Sequence, residues 1–185
     1  MYARKTAERT LTFDFAEGLV KNNLLMVDRE TESIWSQLHG RAIEGELEGH
    51  PLKILPAMQT TWGFWSKRHP ESLVMTDTRK GRRYLYRNWR PGTPRPPRTE
   101  THDTSQLGLG LVLGGESWFF PLSALKRAPE PPELEIGGQT VRIQYDADGL
   151  TAWAEDDGGQ LLVGFLAYRS GWLDFYPSSR IFEAP

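Results

Sequence analysis

Asn22-Asn23-Leu24-Leu25-Met26-Val27-Asp28-Arg29-Glu30-Thr31-Glu32-Ser33-Ile34-Trp35-Ser36-Gln37-Leu38 is the most densely patterned stretch of the chain. Leu24 to Val27 is apolar on both faces, Asp28 to Glu32 is polar throughout, and Ile34, Trp35 and Leu38 restore the apolar character. Two apolar runs about a polar bend predict a β-hairpin. Upstream, Thr10, Thr12 and Asp14 alternate with Leu11, Phe13 and Phe15, the period of a half-buried strand. Downstream, Arg41 to Leu47 and Leu52 to Leu55 predict a second hairpin about Glu48-Gly49-His50-Pro51. Glu44, Glu46 and Glu48 would then share one solvent-facing side of a strand.

The next signal is Thr61-Trp62-Gly63-Phe64-Trp65-Ser66-Lys67-Arg68-His69-Pro70. Thr60 or Thr61 can cap a short helix, and Pro70 requires it to end by His69. Trp62 and Trp65, with Phe64 beside them, are the expected contact with the sheet. A strand is expected from Ser72 to Thr76. A degenerate echo follows near the C-terminus, where Trp172, Tyr176, Pro177, Ser179 and Ile181 repeat the spacing of Trp65, His69, Pro70, Ser72 and Val74. Tyr2-Ala3 and Leu11 are likewise spaced as Trp153-Ala154 and Leu162. These echoes suggest a duplicated β-rich unit.

Between the echoes, Pro91-Gly92-Thr93-Pro94-Arg95-Pro96-Pro97-Arg98 has few backbone donors and reads as an extended connector. The expected organisation is a first β-rich half over residues 1–90, a proline-rich connector over 91–106, and a second half over 107–185. In the second half, strands are expected at Leu107–Leu113, Ser117–Phe120, Leu134–Ile136, Thr140–Tyr145, Leu150–Ala154 and Gln160–Phe165, with a short helix from Ser123 to Arg127. Gly137-Gly138, Asp146-Ala147-Asp148-Gly149 and Asp156-Asp157-Gly158-Gly159 supply hairpin turns. The fold class is therefore mainly β, α+β at its margin, with two related halves and short helices packed as one compact domain.

Composition narrows the chemistry. The chain of 185 residues contains 21 aromatics and no cysteine, so thiolate metal sites, disulfides and cysteine nucleophiles are excluded. Its net charge of −2 hides a segregation: Arg79 to Arg98 carries eight basic residues and no acid, leaving the rest at −10. No run approaches the length of a membrane span, and Met1 to Arg9 has no apolar stretch of the kind a secretory signal uses.

Leu19 to Gln37, the Gly40-Arg41-Ala42-Ile43-Glu44-Gly45-Glu46-Leu47-Glu48-Gly49 stretch, the Trp62/Trp65/His69-Pro70 module and the Arg- and Tyr-bearing segment Arg79 to Asn88 together resemble a prokaryotic family of domains of unknown function numbered 3179. The resemblance covers nearly the whole chain. It implies no activity. Members carry a Cys-Pro motif just upstream of the strand corresponding to Tyr2–Arg4, and the sequence begins after that point, so chemistry resting on that cysteine is expected to be missing. The family's frequent export signals imply an extracytoplasmic home.

Several clusters admit a chemical and a structural reading. Asp28, Glu30 and Glu32 could serve acid-base chemistry or hold a hard cation with a histidine such as His39 or His69. Alternatively, Asp28 accepts backbone N–H bonds inside the bend while Arg29 bridges a carboxylate. His39 and His50 flank a hairpin and could converge on a metal, although their spacing matches no zinc motif. Arg82, Arg83, Tyr84, Arg87 and Trp89 interleave positive charge with aromatic faces, which suits an anionic ligand or partner. The acidic remainder and the lack of a recognisable module disfavour nucleic acid. No cofactor is predicted. The expectation is a non-catalytic binding or interaction module that uses a groove between the halves and the basic arm, with Arg29 as a further binding candidate. The alternative is a metal-dependent or acid-base enzyme built on Asp28, Glu30, Glu32 and a histidine.

Overall fold

The computed structural model describes residues 2–6, 9–21, 23–73 and 106–184. The basic arm with Arg82, Arg83, Tyr84, Arg87 and Trp89, the proline connector and most of the strand expected after Ser72 lie outside these residues. Strand is the dominant element of the described chain, as the alternation and turn chemistry predict.

The first half is a four-stranded antiparallel meander of β1 (Phe13–Val20), β2 (Asn23–Asp28), β3 (Ile34–Ser36) and β4 (Arg41–Glu44). The signature stretch forms β2 and β3, with Met26 opposite Trp35. β1 runs five residues beyond the expected end at Phe15, with an irregular register between Phe15 and Leu19. β4 stops earlier than expected, because Gly45 takes a φ of +98° and the chain turns over residues 46–49. Glu44, Glu46 and Glu48 therefore do not share a strand, and Glu46 instead meets Arg9 at 2.8 Å. The core of this half is small: Leu11, Trp35, Ala42 and Leu52 are buried, with Tyr2, Phe13 and Met26 packed around them. It ends short of the β1–β2 tip, so Phe15, Leu19 and Leu24 stay exposed.

The second half has two sheets. One has the order β10-β5-β6-β11, formed by β10 (Gly164–Tyr168), β5 (Leu107–Leu113), β6 (Glu116–Pro121) and β11 (Arg180–Ile181). The other is the meander β7 (Glu133–Ile136), β8 (Gln139–Asp146) and β9 (Thr151–Asp156). Leu109, Leu111, Phe120, Ile136, Val141 and Ile143 fill the space between them, and the short helix α2 (Leu122–Leu125) adds Leu122 and Leu125. Each such side chain contributes about 1.5–3 kcal/mol by leaving water, which makes this the main core.

Helices α1 (Trp62–Arg68) and α3 (Arg169–Phe175) end the two aromatic-proline modules. Their local geometries coincide. The residues after the helices, His69 and Tyr176, have φ/ψ of −130°/69° and −127°/68°. Trp65 Nε1 donates to Ser72 Oγ and Trp172 Nε1 to Ser179 Oγ, each at 2.8 Å. Trp65 packs on His69 with ring centroids 4.1 Å apart, and Trp172 on Tyr176 at 4.4 Å. The surroundings differ, however. Trp172 is wholly buried, and an added Cβ on Gly110 would lie 2.3 Å from its Cε3, so β5 needs glycine there. Trp65 is half-buried.

The contact surface of α1 departs from the expected one. Thr61 caps the helix, accepting from Phe64 N at 3.3 Å, and Phe64 is its buried residue, while Trp62 is 54% exposed. Thr60 Oγ1 and Thr61 N donate to Gly149 O at 3.1 and 3.2 Å, which fixes the helix on the β8–β9 turn. That anchoring turns position 64 inward, against Trp153. Each module thus bears on the opposite half: α1 on the β8–β9 turn and on Trp153 of β9, and α3 on the β3–β4 turn through a 2.8 Å bond from Tyr176 OH to Leu38 O.

Candidate functional site

The charged signature forms a closed hydrogen-bond system. Asp28 ends β2 with no exposed surface. Its Oδ1 accepts from Thr31 N at 2.6 Å, its Oδ2 accepts from Trp35 Nε1 at 2.7 Å, and Thr31 Oγ1 donates to the carboxylate from 2.9 Å. Burial alone would push the Asp28 carboxyl up, but the bonds from Trp35, Thr31 and the Ser33 backbone outweigh it and hold the group below its ordinary value. Ser33 is also buried; its Oγ contacts Thr31 Oγ1 at 2.8 Å and accepts from Leu47 N at 3.0 Å. Glu32 closes the bend at a φ of +56°, and Gly45 must lack a side chain because a Cβ would come 2.8 Å from Ser33 Cα.

The neighbouring charges point elsewhere. Arg29 forms a fork with Asp14, at 2.5 and 2.9 Å, and its hydrogen bonds lower the Asp14 carboxyl. Glu30 accepts from Thr12 N at 2.7 Å, and that backbone bond holds it below the usual carboxylate range. Asp28, Glu30 and Glu32 therefore diverge: one inward to Trp35, one to Thr12 just before β1, one to solvent. His69 is exposed and stacks on Trp65. His39 lies edge-on to Phe175 at 5.0 Å, whereas His50 Nδ1 is 3.1 Å from Leu47 O on another turn. Burial, then the charges of Arg41 and Lys21, push His39 below its ordinary value. Among the described residues, no three of His, Cys, Asp or Glu are grouped as metal ligands.

The structure opens a different site, between the halves. A cavity of about 450 Å³ is lined on one side by Asn23, Gln37 and the 57–59 segment, and on the other by β9 around Trp153 and by all five residues of β10. Among the described residues, no charged side chain lines it. An adjoining recess of about 310 Å³ shares Asn23, Leu38, Tyr168 and Gly171 with it and adds Lys21 and Asp174. Asn23 Oδ1 is buried where the two meet and accepts no hydrogen bond from the described protein.

The walls are held by contacts between the halves. Tyr2 and Tyr176 donate their hydroxyls to successive carbonyls of the β3–β4 turn, Gln37 O and Leu38 O. Burial, with Tyr176 beside it, pushes the Tyr2 hydroxyl up to about 12, and burial raises Tyr176 as well. Lys21 donates to Asp174 O and sits 5.4 Å from the Phe175 ring centre. On the far wall, Trp153 Nε1 donates to Glu155 Oε1 at 2.7 Å, and Arg68 lies 5.5 Å over its ring. Such a cavity can take up a neutral ligand, with carboxamides to satisfy polar groups and aromatic or aliphatic surface for the rest.

The residues that line the cavity are not among the site residues expected from the sequence. Asn23 and Gln37 stand at the two uncharged ends of the signature stretch, either side of its charged bend. The uncharged run Gly164 to Tyr168 was the available signal on the opposite wall. Among the described residues, no helix is long and apolar enough to cross a membrane.

In comparison with known proteins, the family model described as Protein of unknown function (DUF3179) matches residues 1–171. No curated protein and no solved structure matches the chain.

Proposed function

The chain belongs to the family of proteins of unknown function DUF3179, and from that premise we propose that it is a non-catalytic binding module whose contact surface is the groove between its halves. The observation that carries this reading is the 450 Å³ cavity lined from both halves, with no charged side chain among its described lining residues. The basic run Arg79 to Arg98 is a second, electrostatic contact in this proposal, resting on its charge segregation alone.

The rival, acid-base or metal chemistry at Asp28, Glu30, Glu32 and a histidine, has less support. Asp28 and Glu30 are spent on different indole and backbone donors, Glu32 faces solvent, and His39 and His69 pack elsewhere.

The test is a nuclear magnetic resonance screen of the labelled protein against a library of neutral, fragment-sized molecules. Hits should shift the Trp153 indole N–H and the Asn23 carboxamide. Gly171→Trp should suppress those shifts, because Gly171 lines both cavities and an added Cβ there meets nothing within 4 Å. Hits that leave groove signals unmoved, or that bind Gly171→Trp equally, would remove the proposal. For the basic run, Arg82→Glu, Arg83→Glu and Arg87→Glu together should abolish retention on immobilised heparin, and unaltered retention would remove that contact.

A further inference from the structure

A second recess, of about 500 Å³, shares no described lining residue with the groove. Polar side chains reach it from around four elements: Gln106 just before β5, Ser123 of α2 with Arg127 shortly after it, Arg169 at the start of α3, and Glu183 beyond β11. Pro121, Ile181 and Phe182 give it an apolar wall.

None of these polar side chains makes a hydrogen bond or ion pair with a described residue. Elsewhere Arg4, Arg9, Arg29, Arg142 and Arg180 hold carbonyl or carboxylate oxygens, and Arg68 lies over aromatic rings. Arg127 and Arg169 are therefore two uncommitted guanidiniums on one space, where their like charges oppose each other and Glu183 bridges neither. Two arginines against one glutamate leave the recess at +1. A guanidinium fork matches a planar carboxylate, and two forks match two carboxylates. Glu183 adds a repulsive element against any ligand that brings negative charge alone.

Independently of the groove, we infer that this recess binds a free acidic amino acid, a ligand with two carboxylates and one ammonium. The carboxylates pair with Arg127 and Arg169 and the ammonium with Glu183, so every charge on both sides finds its opposite. Gln106 and Ser123 supply neutral hydrogen bonds, and the methylene stem lies along the apolar wall. Phosphate or an amine-free dicarboxylate would satisfy the arginines and leave Glu183 opposed. An acidic residue at the N-terminus of a peptide lacks the second carboxylate. Exposed ion pairs are individually weak and screened by salt, so the expected dissociation constant is on the order of 1 mM at low ionic strength.

The experiment titrates L-glutamate and L-aspartate into the labelled protein at about 20 mM salt, in parallel with glutarate, inorganic phosphate and a short peptide beginning with glutamate. Nuclear magnetic resonance reads the shifts. The expected result is that at least one of the two amino acids moves the Gln106 carboxamide and the Arg127 and Arg169 amides while the Trp153 indole stays in place. Arg127→Gln and Arg169→Gln should each weaken that binding about fivefold or more, and Gly171→Trp should leave it unchanged. Glu183→Gln should weaken the amino acid yet tighten glutarate, a reversal that loss of structure does not produce. Glutarate or phosphate binding the unaltered protein as tightly as the amino acids would overturn the inference in favour of a plain anion site. Equal binding of the peptide would overturn it in favour of a protein terminus. Absence of shifts at these residues up to about 20 mM ligand, well above the expected constant, would also overturn it. None of these outcomes bears on the groove, whose own test reads Trp153.

Discussion

Asp28→Asn should destabilise the protein by about 2–4 kcal/mol while leaving its fold intact. Both carboxylate oxygens face donors: Oδ1 takes Thr31 N at 2.6 Å, and Oδ2 takes Trp35 Nε1 at 2.7 Å. A carboxamide has one acceptor oxygen, so its NH₂ must confront one of these N–H groups. Leaving that buried donor unpaired costs about 1–3 kcal/mol. The surviving bond also loses its charge assistance, about 1 kcal/mol more, since bonds to ionised groups are roughly twice as strong. For a chain of this length the sum corresponds to a drop in melting temperature of about 5–15 °C. Urea unfolding followed by tryptophan fluorescence measures it, and Trp35→Phe completes a double-mutant cycle in which the pair should couple by at least about 1 kcal/mol. A loss below about 0.5 kcal/mol, or additive single effects, would refute the reasoning.

Other expectations follow from the same geometry. Gly110→Ala places a methyl 2.3 Å from Trp172 and should cost at least about 1–3 kcal/mol in urea unfolding. Ser179→Ala strands a fully buried indole N–H and should cost about 1–3 kcal/mol, whereas Ser72→Ala should cost less, because water can reach the half-buried Trp65. On acidification, two groups should weaken the fold in turn. His39 is depressed, so its contribution is present above the ordinary histidine value and is lost as pH falls toward its lower folded value. Asp28 is also depressed, and its contribution disappears below the ordinary carboxylate range; unfolding midpoints measured across pH in His39→Gln and Asp28→Asn should assign the two losses. In alkali, Tyr2 is raised, so the stability it lends is intact below pH 10 and is lost toward pH 12, as tyrosinate absorbance during unfolding would register.

The parts legible in the sequence were those governed by local chemistry. Thr61 and Pro70 bracketed α1 because a hydroxyl cap and the residue before proline act within one turn of chain. The polar run Asp28 to Glu32 marked a bend because short acceptors reach nearby backbone donors. The spacing of Trp, Pro and Ser identified two modules that share cap dihedrals and a Trp-to-Ser bond, although the halves around them differ, one a single meander and the other two sheets. What local chemistry could not reveal was direction. Phe64 rather than Trp62 became the packed face of α1 because Gly149 O, 89 residues from Thr60, accepts from Thr60 and Thr61. The groove likewise depends on tyrosines at opposite ends of the chain donating to one turn, and no window of sequence contains both.

The central claim separates scaffold from working surface: the acidic signature holds the first half together, and the uncharged groove makes contact. Titrating a neutral fragment that shifts the Trp153 indole N–H into folded Asp28→Asn and folded Gly171→Trp, each below its unfolding midpoint, tests this most directly. The account predicts that Asp28→Asn binds with wild-type affinity per folded molecule despite its lower stability, while Gly171→Trp keeps its stability and binds at least tenfold more weakly. Weak binding by a fully folded Asp28→Asn, with Gly171→Trp unaffected, would contradict it.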